Sequence, residues 1–87
     1  MFWHMLTDYI RVAMRLAHYE VMENGRFFAT IPGFRGLWAE EASLEACREE
    51  LQSTLEDWIL LGVRLGHELP VVAGIDINPQ PEFADAE

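Results

Sequence analysis

The spacing of apolar residues changes twice along this chain. Tyr9, Val12, Ala13 and Leu16 recur every three or four positions, the repeat of one helix face. Thr7 supplies a capping hydroxyl, and Asp8 a carboxylate for the positive end of the helix. A short helix is therefore expected over residues 8–16, with Arg11 and Arg15 on its outer side.

From His18 the period drops to two. His18-Tyr19-Glu20-Val21-Met22-Glu23 alternates, Asn24-Gly25 interrupts, and Arg26-Phe27-Phe28-Ala29-Thr30-Ile31 resumes with aromatic and β-branched residues, which predicts a β-hairpin. Asn-Gly favours a two-residue type I′ turn, because both central positions need positive φ. That register sets Glu23 opposite Arg26 and Val21 opposite Phe28, and groups Met22 with Phe27, Ala29 and Ile31 on the other face. Both faces of the hairpin then carry apolar surface, one for the helices and one for a second subunit.

Pro32-Gly33-Phe34-Arg35-Gly36 ends the second strand, since proline lacks the donor a ladder needs and glycine permits a tight bend. Leu37-Trp38-Ala39-Glu40 reads as a third, short strand. Ser43 then caps a long helix whose stripe is Leu44, Cys47, Leu51, Leu55, Trp58, Ile59 and Val63, with Gly66 as its stop. Residues 69–77 offer a final strand. The expected order is α-β-β-β-α-β, an α+β sandwich of two layers. One domain is expected over residues 1–78, followed by an acidic, proline-punctuated tail at 79–87 that cannot build a core.

Composition narrows the functional classes. The chain has 87 residues, room for one domain, and a core so small that self-association as a dimer or tetramer is expected. Six arginines, no lysine and fifteen acidic residues give a net charge of -9. Such a field repels a phosphate backbone and steers a basic protein toward the chain, so direct nucleic-acid binding is not expected. The longest apolar run, Trp58 to Val63, falls far short of the roughly 20 residues of a membrane span. With one cysteine and no signal-like start, a cytoplasmic location is expected.

Candidate chemistry is sparse. Glu40, Glu41, Glu45, Glu49, Glu50 and Asp57 read as a solvated acidic face rather than a converging acid–base pair. His4, His18, His67 and Asp76 lack the paired spacing of metal ligands. Cys47, on the apolar stripe, reads as an inert core thiol. Gly33 and Gly36 match no phosphate-binding loop and serve the bend. Trp58 reads as core, whereas Trp38 beside the bend suits either packing or a partner. No catalytic residue, metal or cofactor is expected.

At Tyr19-Glu20-Val21, Asn24 to Gly36 and Ser43-Leu44-Glu45-Ala46-Cys47, the chain resembles the HicB-like antitoxin family over about residues 17–78. The resemblance implies a truncated ribonuclease-H-like α/β sandwich that binds and neutralises a small basic, HicA-like toxin that cleaves messenger RNA. It does not extend to the C-terminal DNA-binding segment that many members carry. It adds no catalytic residue, because the strands offer only Glu20, Glu23, Glu40 and Asp76. The expected partner surface comprises Phe34, Trp38, Glu40, Glu41, Glu45 and Glu49, and the expected oligomer interface Met22, Phe27, Ala29 and Ile31. The alternative is a homo-oligomeric ligand-binding or scaffold module with no toxin partner.

Overall fold

The computed structural model describes residues 2–78, with side chains from residue 5 onward; the expected tail at 79–87 lies outside the described residues. Its elements are α1 (Phe2–Arg15), β1 (His18–Val21), β2 (Phe27–Thr30), β3 (Trp38–Glu41) and α2 (Leu44–Leu65). The strands form an antiparallel sheet in the order β1-β2-β3. α2 lies across β2 and β3, and α1 packs beside α2. The fold is α+β. Among the described residues no helix is long and apolar enough to cross a membrane.

α2 follows its sequence signals. The Ser43 hydroxyl accepts from the Ala46 amide at 3.1 Å, and Gly66 closes the helix at φ 77°. Cys47, Leu51, Leu55 and Ile59 are buried as one stripe. They meet Ala29 and Ile31 of the second strand segment and Ala39 of β3 in a core shared with Tyr9, Ala13 and Met14 of α1. Leu44 and Val63, expected on the stripe, are about half exposed.

α1 starts earlier than its cap signal indicates. Leu6 packs against the core one turn before Tyr9 and Ile10, so the apolar periodicity continues back through Thr7. That residue lies inside the helix, and Asp8 pairs with Arg11 across one turn at 3.3 Å.

The hairpin register is shifted by one residue from the sequence expectation. Tyr19 pairs with Ala29, Glu20 with Phe28 and Val21 with Phe27. The Met22 amide donates to the Arg26 carbonyl at 2.7 Å, while the Met22 carbonyl accepts from Gly25 at 2.9 Å. The connection is therefore Glu23-Asn24-Gly25, a three-residue loop with Gly25 left-handed at φ 83°, the arrangement of a turn followed by a glycine bulge. The Asn24 side chain accepts from the Arg26 amide at 3.0 Å and holds this loop. Because side chains alternate along a strand, a one-residue slip exchanges the faces. Phe27, Ala29 and Ile31 turn toward α2, and Met22 and Phe28 turn away.

The expected strand over 69–77 does not form. Val72 and Ile75 exchange both backbone bonds, at 3.1 and 2.7 Å, around Ala73 and Gly74. Both central residues have positive φ, 49° and 81°, so the type I′ signature expected at Asn24-Gly25 occurs here instead. The run folds on itself and lays Leu69, Val72 and Ile77 into the common core. Asn78 serves as a ladder partner, its side-chain oxygen accepting from the Leu69 amide at 2.6 Å and its amide donating to the Leu69 carbonyl at 2.8 Å. Leu69 rests on α2 at Gly62, where an added Cβ would lie 2.8 Å from the Leu69 side chain.

The Tyr9 hydroxyl donates to the Pro70 carbonyl at 2.6 Å, joining α1 to this closing segment. Burial, reinforced by the charge of Asp76, pushes the phenol up to about 12 from 10.0. A raised folded-state pKa gives a contribution that is complete below pH 10 and is lost as pH rises through about 12. Tyr9→Phe should cost about 1–2 kcal/mol at neutral pH, and its stability deficit should narrow above pH 10. Urea midpoints of both proteins at pH 8 and pH 11 check this; a deficit that is constant with pH refutes the linkage.

Candidate functional site

The sheet has one face under α2 and one face that neither helix packs against. Register places the side chains of the uncovered face in rows: His18, Thr30 and Trp38 form one, and Glu20, Phe28 and Glu40 the next. Met22 and Arg26 continue the pattern at the hairpin end. Phe28 thus sits between two carboxylates. Its ring stacks on Trp38 at 6.0 Å between centroids and 24° between planes. Trp38 is 54 % exposed. The Arg26 guanidinium donates to Glu40 at 2.8 Å, which orients that carboxylate beside the aromatic pair. An exposed aromatic stack rimmed by charge has the make-up of a protein-binding patch, where Trp and Arg dominate affinity and the rim sets specificity.

Of the six residues expected to bind a partner, the structure brings two together, Trp38 and Glu40. Phe34 is only 4 % exposed. Its ring lies edge-on to Tyr9 at 6.1 Å and tilted against Trp58 at 5.1 Å, so it is a core residue and not a surface anchor. Trp58 completes that cluster and donates from its indole nitrogen to the Arg35 carbonyl at 3.0 Å, which pins the bend. Glu41 pairs in register with Phe27, on the α2 side of the sheet, and Glu45 and Glu49 are exposed on α2 in the other layer. These carboxylates do not share a face with Trp38.

The expected oligomer interface also divides. Ala29 and Ile31 are buried beneath α2, with Phe27 packed beside them, so only Met22 of that set lies on the uncovered side. Sequence reading missed Phe28, Glu20 and Arg26. Within the Phe27-Phe28 pair one ring must point each way, and the packing of Phe27, Ala29 and Ile31 against α2 turns Phe28 outward.

No group of three or more histidines, cysteines or carboxylates among the described residues is placed to hold a metal ion. The Cys47 thiol is buried, 3.6 and 3.7 Å from the Phe27 and Ala39 carbonyl oxygens, and burial pushes its pKa up, the opposite of an activated nucleophile. A groove of about 490 Å³ between α1 and α2 is lined by Arg11, Arg15 and Arg48 with Glu56.

A family model described as UPF0150-like matches residues 8–70. The crystal structure of TTHA0281 from Thermus thermophilus is similar to this chain with a TM-score of 0.80 and 34% sequence identity, covering 87% of this chain and 95% of that one. No curated protein matches the chain.

The two aromatics at the bend should separate on truncation. Phe34→Ala should destabilise the fold by about 3–5 kcal/mol, as for other buried rings, whereas Trp38→Ala should cost less than about 1 kcal/mol. Thermal denaturation of both variants measures the contrast, and equal losses would contradict the assignment of Trp38 to a free surface.

Proposed function

This chain belongs to the UPF0150-like family, and we propose that it acts there as a HicB-like antitoxin, binding and neutralising a small basic toxin of the HicA-like, mRNA-cleaving type. The observation that carries this reading is the Phe28–Trp38 stack on the uncovered sheet face, set between Glu20 and Glu40. The resemblance of the hairpin, the Pro-Gly bend and the Ser43-led helix to HicB-like antitoxins supports it. So does the net charge of -9, which suits a basic protein and opposes nucleic acid. The α-β-β-β-α order fits a ribonuclease-H-like sandwich that lacks its next strand. In this reading the role is one of binding and not of catalysis.

Recognition divides between two sets of groups. Trp38 offers a flat, half-exposed ring on which an arginine or lysine of the toxin can stack, and Phe28 supports it from beneath. Glu20 and Glu40 contribute attraction over roughly a Debye length of about 8–10 Å, and Arg26 holds Glu40 in place. Aromatic contacts made late in docking govern dissociation, whereas charge acts on the encounter.

Binding kinetics against a small basic protein encoded beside this one test the proposal. Trp38→Ala should raise the dissociation rate and cost about 2 kcal/mol or more. The Glu20→Gln, Glu40→Gln double variant should mainly slow association and flatten its dependence on salt. A salt-indifferent association rate, together with normal binding by folded Trp38→Ala, would refute the reading.

A further inference from the structure

A chain with six arginines and a net charge of -9 gathers three of those arginines in one place. Arg11 and Arg15 lie one turn apart on α1, a spacing that sets Cβ atoms about 5–6 Å from each other. Arg48, in the second turn of α2, joins them in lining the groove of about 490 Å³ between the two helices. Ile10 and Met14 give that groove an apolar wall and pack into the core behind it. Of the carboxylates on α2, Glu56 alone lines the groove, and Gln52 donates to it at 3.4 Å.

Local structure explains part of this grouping. Asp8 pairs with Arg11 at 3.3 Å, and the last turn of α1 is a favourable place for the charge of Arg15. Neither effect accounts for the third arginine, brought in from the other helix. Neither Arg15 nor Arg48 forms an ion pair among the described residues. The charge of Arg48 reaches the Tyr19 phenol, where it offsets part of the rise in pKa that burial causes. A guanidinium cannot shed its proton in a protein, so the like charges repel until an anion joins them.

We propose that this groove binds a small organic polyphosphate of the nucleoside di- or triphosphate class. Guanidinium forks match phosphate oxygens two at a time, and their flat faces stack on planar rings. A wall that includes a polarisable thioether suits the body of such a ligand, and the Glu56 carboxylate is an acceptor for its amino or hydroxyl groups. The groove is within the range of about 300–1,000 Å³ usual for small-molecule sites. Charge limits the length of the ligand. At physiological salt the Debye length is about 8 Å, so the three arginines dominate inside the groove, whereas a long phosphate backbone would run out of it onto a surface of net negative charge. The site lies in the helical layer, away from the Phe28–Trp38 face, and does not rest on the toxin reading.

Titration calorimetry of the full chain with ATP, without added metal, tests this. One ATP should bind per chain with a dissociation constant below about 1 mM, weakening as salt rises. Tripolyphosphate and citrate should each bind at least about tenfold more weakly, and adenosine should give no heat of binding. Arg15→Gln with Arg48→Gln should lower the affinity for ATP about tenfold or more with an unchanged circular dichroism spectrum. Arg64→Gln, on α2 outside the groove, should bind as the wild type does. Should the double variant misfold, the amide resonances of the wild-type protein give an independent reading: ATP should shift those of residues 7–15 and 48–56 and leave those of β3 in place. No binding of ATP in that range, equal affinity for tripolyphosphate or citrate, a folded double variant that binds like the wild type, an equal loss in Arg64→Gln, or shifts centred on another surface would each overturn the proposal.

Discussion

How closely α2 can approach the sheet governs the rest of the molecule. Ala29 and Ala39 face each other across β2 and β3, and their methyl groups leave space for Cys47 to come within 3.6–3.7 Å of two strand carbonyl oxygens. Leu51, Leu55 and Ile59 follow at helical spacing and fill the core in line. A larger side chain at either alanine would lift the helix and open a gap along that line, because packed cores do not absorb added volume without strain. Once the helix is held there, α1 and the closing segment settle against it, and the sheet is left covered on one side.

That one-sided cover separates two surfaces of different character. The bare face of the sheet mixes aromatic rings with oriented charges, whereas the end of α2 exposes Leu60, Leu61, Val63 and Leu65 around Arg64. The two surfaces lie in opposite layers. The sheet edges carry Glu20 on β1 and Glu40 and Glu41 on β3, and charged edge residues discourage indiscriminate strand pairing.

The parts legible in the sequence were those fixed by local chemistry. Ser43 and Gly66 bound α2 because a cap hydroxyl and a left-handed glycine act within a turn of the chain. The hairpin's existence was equally plain, but its parity was not. Asn24-Gly25 fits a two-residue turn by propensity, yet the three-residue loop puts Tyr19 rather than Glu20 opposite Ala29 on the side under α2, and the local preference yields to that pairing. The same holds for residues 69–77, whose apolar alternation resembles a strand. Pro70 removes a ladder donor, Ala73-Gly74 turns the chain, and the Asn78 amide satisfies Leu69, so the run buries its residues by folding on itself. The candidate site was half legible for the same reason. Trp38 and Glu40 sit beside a bend that the sequence marks, while Glu20 depends on the slip of β1, and Phe28 and Arg26 on which face of β2 the helix covers.

The single thiol has a use that follows from its position. Cys47 lies under the middle of the helix-on-sheet contact with its whole surface covered, and burial suppresses the reactive thiolate. An alkylating reagent can reach it only when α2 lifts from β2 and β3. The rate of its modification is then a clock for that opening, read at one atom without any label added to the chain, and it reports on the contact that holds both outer surfaces in place.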